Sequence, residues 1–128
     1  MSTAKCRILY VDDHDDSAAM LKLLLAPLDY EVVAAHSVEQ ALELARTQQF
    51  DLYVLDKRLP DGSGLELCKR LTKMSPSVAC IFYSGDAYEV HRQEAAAAGA
   101  AAYVAKPDVD ALIETVQKFL GESECATA

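Results

Sequence analysis

Apolar residues along the 128-residue chain fall into two alternating patterns. Short continuous runs, CRILYV (6–11), EVVAA (31–35), DLYVL (51–55), SVACIF (77–82) and AAYVA (101–105), are rich in β-branched and aromatic residues. Each predicts a strand buried on both faces. Between the runs, apolar residues recur at three- and four-residue intervals, as in Ala18, Leu21, Leu24 and Leu25, then Val38, Ala41, Leu42 and Ala45. That spacing is the buried stripe of an amphipathic helix. Ser37 with Gln40 fits a capping box, Pro27 falls near the end of the first helix, Gly99 suits a helix C-terminus, and Asp108 can cap a last helix running to about Leu120. Five strands alternating with five helices predict right-handed βαβ units, hence an α/β fold with a parallel sheet covered on both faces.

The length suits one domain, read here as residues 1–120, with GESECATA (121–128) as a short flexible tail. The alanine-rich stretch before Tyr103 in EAAAAGAAAY (94–103), the one biased segment, reads as strong helix formers, with a small-residue surface for a partner's helix or a second copy as the alternative. A formal charge of −8 and a pI near 4.7 argue against nucleic acid as a partner and for a cationic ligand or a basic protein face. Cys6, Cys68, Cys80 and Cys125 show no C-x-x-C spacing and read as reduced thiols. MSTAKCRILYV lacks a signal-peptide pattern, and no run approaches the roughly 18 apolar residues of a membrane span. The expectation is a cytoplasmic protein with no membrane partner.

In an open parallel sheet, ligands bind beyond the carboxyl ends of the strands. Asp12 and Asp13 follow the first run, Asp56 the third, Ser84 the fourth, and Lys106 and Pro107 the fifth. Three carboxylates crowded together repel unless a cation joins them, and hard oxygen donors suit Mg²⁺ or Mn²⁺ better than zinc. An ammonium and a hydroxyl beside such an ion form a receptor for phosphoryl oxygens. Asp15 and Asp16 read as first-turn residues of a helix, where carboxylates favour the dipole. His14 reads as a solvated loop histidine, with metal ligation as the alternative, and His36 and His91 receive no role.

Asp12-Asp13, Asp56 in YVLDKRLPDGSGLEL, Ser84 in FYSGD, and Tyr103 with Lys106-Pro107 in YVAKP resemble the receiver domain of bacterial two-component response regulators, over about Arg7 to Leu120. The resemblance implies a flavodoxin-like (βα)5 fold with strand order 2-1-3-4-5, acting as a signalling receiver and not as an enzyme. It makes Asp56 the phosphoacceptor, charged from a phosphohistidine on a sensor kinase or histidine phosphotransfer protein. It assigns Mg²⁺ to Asp13, Asp56 and the backbone carbonyl of Arg58, with Asp12 acting through a water. Lys106 and Ser84 then bind phosphoryl oxygens, and Tyr103 couples the site to a protein-binding surface on the fourth helix, fifth strand and fifth helix. The same surface could form a weak phosphorylation-dependent dimer, and the bond before Pro107 is expected to be cis. With no output domain in view, the expected output is a protein contact.

Two positions depart from the family pattern. Lys57 and Arg58 put cations directly after the acceptor, where they either face solvent or reach the phosphoryl group and tune its lifetime. At Ser84-Gly85, where many family members have Thr or Ser followed by Ala, serine keeps the hydroxyl while Gly85 loosens the loop and weakens the expected coupling to Tyr103. Asp13-His14-Asp15 has the D-x-D spacing of haloacid dehalogenase phosphohydrolases, but that reading leaves Asp56 idle and the chain short of a cap. A receiver-fold binding module that works without phosphorylation is the remaining alternative. A calcium loop fails because Ser17 or Ala18 stands where it needs glycine, and no G-x-x-x-x-G-K loop is present.

Overall fold

In the computed structural model, residues 6–85 and 88–120 are described. The proposed tail, with Cys125, lies outside them. The elements run β1 Cys6–Val11, α1 Asp15–Leu25, β2 Tyr30–Ala35, α2 Val38–Thr47, β3 Leu52–Leu55, β4 Arg58–Leu59, β5 Gly62–Ser63, α3 Gly64–Met74, β6 Ala79–Ser84, α4 Glu89–Ala97, β7 Ala102–Ala105 and α5 Val109–Leu120. Five strands form a parallel sheet of order β2-β1-β3-β6-β7. Once β4 and β5 are set aside as a separate antiparallel hairpin, this is the expected 2-1-3-4-5. That hairpin, residues 58–63, overlaps LPDGSG (59–64), a stretch of turn-forming residues.

The two-residue period of a strand divides the core. Ile8 and Tyr10 of β1 face α1 and α5, packing with Ala18, Leu21, Leu25, Leu112, Val116 and Leu120. Leu9 and Val11 face the other side, with Ala41, Leu42, Leu67, Cys68, Leu71 and Ala95 of α2, α3 and α4. Both faces are therefore apolar, which is why the strand runs are continuous instead of alternating.

The helix ends follow local chemistry. Ser37 Oγ accepts the Gln40 N–H at 3.1 Å, while Gln40 Oε1 reaches back to the His36 N–H at 2.8 Å, one residue earlier than a standard capping box. Asp61, in the β4–β5 turn, accepts the Val38 and Glu39 N–H groups at 2.7 and 3.0 Å and so pins the hairpin to α2. Asp108 Oδ1 accepts the Ala111 N–H at 3.0 Å at the start of α5. Gly99, after α4, has a φ of 106°, a conformation suited to glycine. Cys68 and Cys80 are free, but Cys6 is disulfide-bonded, which corrects the expectation of four reduced thiols. Sequence spacing reveals local metal motifs, whereas disulfide pairing depends on which thiols the fold brings together.

Candidate functional site

Three functional side chains sit one residue beyond the strands because the hydrogen-bond ladder continues past each strand end. Asp12 N–H donates to Ala35 O at 3.0 Å, Asp56 N–H to Val11 O at 2.9 Å, and Lys106 N–H to Ser84 O at 2.9 Å. The Lys106–Pro107 peptide is cis. Lys106 Nζ lies 2.6 Å from Asp12 Oδ2 and 3.2 Å from Asp56 Oδ2, joining β1, β3 and β7 in one cluster. Ser84 is buried at the end of β6, register-paired with Ala105.

Asp12 is fully buried and accepts from four donors: Tyr10 Oη at 2.7 Å, Lys106 Nζ at 2.6 Å, the His14 N–H at 3.0 Å and the His14 ring at 2.9 Å. Burial alone pushes its carboxyl up; the donors more than reverse this and hold its pKa at about 2. Burial pulls the Lys106 ammonium down, and Asp12 with Asp56 reverses that too, leaving it above its ordinary value. His14 is raised by its bond to Asp12 and by the charges of Asp12 and Asp13.

Ligand atoms from Asp12, Asp13, His14 and Asp56 all lie within 4.8 Å of one another. Ligands on opposite sides of a small divalent cation stand about 4.2 Å apart, so the donor set fits such an ion after small side-chain movements. Asp12 is already saturated by donors, which leaves Asp13 and Asp56 as the carboxylates better placed to ligate. Among the described residues, Asp56 Oδ1 accepts only a long bond, 3.4 Å, from the Arg58 N–H.

Tyr103 is half-buried. Its ring stacks on Phe82 at 6.1 Å, the Arg92 guanidinium sits 5.1 Å from the ring centre, and Arg92 Nη1 donates to Tyr103 O at 3.1 Å. Lys57 turns neither to solvent nor to Asp56. It donates to His91 Nδ1 and pairs with Glu94 Oε1 at 2.8 Å, tying the acceptor loop to α4. The Lys57 bond and charge hold the Glu94 carboxyl below the usual range, with His91 contributing less. Lys57→Met should return the Glu94 pKa towards that range in a carboxyl NMR titration; an unmoved pKa would mean that the bridge does not persist in solution.

Sequence reasoning missed Tyr10, which it treated as core. The signal was present in the Y-x-D spacing, because residues two apart on an extended chain share a face. Tyr10→Phe removes one donor from a buried anion. It should cost about 1.5 kcal/mol and raise the Asp12 pKa, read by urea unfolding and NMR. His36 is likewise engaged, with Nε2 2.6 Å from Asp15 Oδ1.

A family model described as the response regulator receiver domain matches residues 8–117. The transcriptional regulatory protein ZraR of Escherichia coli is 33% identical over 122 residues, which are 94% of this chain and 28% of ZraR. The DNA-binding transcriptional activator DevR/DosR of Mycobacterium tuberculosis is 35% identical over 102 residues, 78% of this chain and 47% of its own length. Among solved structures, the response regulator TrrA of Thermotoga maritima in complex with Mg²⁺-BeF superposes with a TM-score of 0.81 at 33% identity, covering 90% of this chain and 99% of TrrA. The chain thus spans about a quarter to a half of the curated relatives it matches. Their names overturn the expectation that nucleic acid plays no part and that the output is a protein contact alone. The charge of −8 describes the surface of these 128 residues and carries no information about a DNA-binding region joined to, or working with, a receiver. Among the described residues no helix is long and apolar enough to cross a membrane. The chain belongs to the response regulator receiver family, a family of signalling domains.

Proposed function

We propose that this receiver takes a phosphoryl group on Asp56 from a phosphohistidine of a partner kinase or phosphotransfer protein. The observation that carries the reading is the Asp56 carboxylate at the sheet edge, with Lys106 on one oxygen and the carboxylates of Asp12 and Asp13 beside it. An Asp56 oxygen forms the new bond to phosphorus, the phosphorus–nitrogen bond of the donor breaks, and the released imidazole takes a proton from solvent. Lys106 transfers part of its hydrogen bonding from Asp12 and Asp56 to the phosphoryl oxygens, and the Ser84 hydroxyl donates to another. Mg²⁺, or Mn²⁺, held by Asp13, Asp56 and the Arg58 backbone carbonyl with Asp12 in support, supplies charge neutralisation for the incoming group; the TrrA complex with Mg²⁺-BeF supports that ion.

The added negative charge draws Ser84 inward and biases Tyr103, hence the α4–β7–α5 surface, between two states. Lys57 acts on this equilibrium through α4, and comparing dephosphorylation of wild type and Arg58→Ala tests whether the second cation after Asp56 alters phosphate lifetime. The output supported by ZraR and DevR/DosR is regulation of transcription, exerted through whatever DNA-binding part the receiver is coupled to. Beryllofluoride with Mg²⁺ should shift amide NMR signals around Asp56, Ser84 and Tyr103. Shifts at Asp56 that stop short of Tyr103 would remove the switch from the account.

A further inference from the structure

His14 is the N-cap residue of α1, a position where Ser, Thr, Asp or Asn would bond the helix amides, yet its side chain makes no capping bond. Its ring turns back towards the acidic cluster instead. Nδ1 stands 2.9 Å from Asp12 Oδ1 and 3.1 Å from Asp13 Oδ1, although the side chain is 68% exposed and has solvent open to it. Among the described residues, His14 is the one histidine in the group whose ligand atoms lie within 4.8 Å of one another.

We propose that His14 Nδ1 is a nitrogen ligand of the cation site, tuning this receiver towards first-row transition dications such as Mn²⁺ and Ni²⁺ relative to Mg²⁺. The inference rests on the reading of Asp13 and Asp56 as cation ligands and adds a donor to it. Three carboxylates alone form an all-oxygen set suited to Mg²⁺. Imidazole nitrogen binds Mg²⁺ poorly and Mn²⁺, Fe²⁺, Co²⁺ and Ni²⁺ increasingly well. An ion between Asp13, Asp56 and His14 takes the gap now spanned by the contact from His14 to Asp13; Nδ1 gives up its proton and its bond to Asp12, the ring keeps its N–H at Nε2, and Tyr10, Lys106 and the His14 backbone N–H still donate to Asp12. The α1 N-terminus keeps its backbone form, since His14 gives it no side-chain bond to lose.

Any mixed nitrogen and oxygen site favours Ni²⁺ over Mg²⁺, so the informative quantity is how each affinity changes when the imidazole is removed. Untagged wild type, His14→Ala and Asp13→Asn would be titrated calorimetrically with Mg²⁺ and with Ni²⁺, and pulsed EPR recorded on the Mn²⁺-loaded proteins. The expected result is a loss of Ni²⁺ affinity of about tenfold or more in His14→Ala, with Mg²⁺ affinity held within about twofold. Wild type should show ¹⁴N modulation of the Mn²⁺ signal that both variants lose. Equal changes for the two metals, or no ¹⁴N modulation while wild type binds metal in an Asp13-dependent way, would overturn the role of His14 and leave the carboxylate site standing. Absence of Asp13-dependent binding of either metal would overturn the cation site and this inference with it.

Discussion

Replacing Lys106 with Met is expected to destabilise the protein by about 3 kcal/mol at pH 7, because it leaves the fully buried Asp12 and the nearby Asp56 without their shared counter-ion. The loss should depend on pH in a defined direction. Asp12 has a folded pKa of about 2, below its ordinary 3.8, so its contribution is complete above about pH 4 and disappears as pH falls towards 2. That shift corresponds to about 2 kcal/mol. Lys106 is raised above 10.5, so its contribution is complete below that pH and is lost as pH rises through the raised value. Between these limits the pair contributes a constant amount. In Lys106→Met, the burial that already pushes the Asp12 carboxyl up loses its strongest opposing donor, the carboxyl protonates more readily, and the variant should approach wild type as pH drops below 4. Urea unfolding at pH 7 and pH 3 measures this. An equal deficit at both pH values would show that the cost is lost packing and not lost charge pairing.

Gly64→Ala should be as damaging for a steric reason. A Cβ at Gly64, the first residue of α3, would stand 2.0 Å from Asp56 O and 3.0 Å from both Asp56 C and Lys57 Cα. All three are backbone atoms of the loop that presents the acceptor, and Gly64 N–H also donates to Lys57 O at 2.8 Å. Either the loop or the start of α3 must move, at a cost of about 3 kcal/mol or more, and Asp56 leaves its place beside Lys106. Phosphoryl uptake should fall with stability. Gly85→Ala is the control: a Cβ there meets nothing within 4 Å among the described residues, so its unfolding midpoint should stay at the wild-type value. A Gly64→Ala protein as stable and as readily phosphorylated as wild type would show that the loop is more compliant than this close approach allows.

The residues at the strand ends were legible because each follows an uninterrupted apolar run, and a parallel sheet brings such ends to one edge. Asp12, Asp56 and Lys106 meet for that reason, although 94 residues separate the first from the last. The five main strands were placed to within two residues at each boundary. The β4–β5 hairpin was not, since two-residue strands have no period to detect. The Lys57 bridge to His91 and Glu94 was out of reach for another reason. It joins a loop to a helix 34 to 37 residues away, and nothing in local spacing says where a flexible lysine will point. Net charge misled in its own way, because a surface average describes a domain and not the assembly in which the domain works.

The central claim is that Asp56 is the phosphoacceptor. Its most direct test is the intact mass of wild type and Asp56→Asn after incubation with a small acyl phosphate donor, with and without Mg²⁺. The account predicts a single added phosphoryl mass in wild type that requires the metal and is absent in Asp56→Asn. An adduct that persists in Asp56→Asn, or that maps to Asp13, would contradict it.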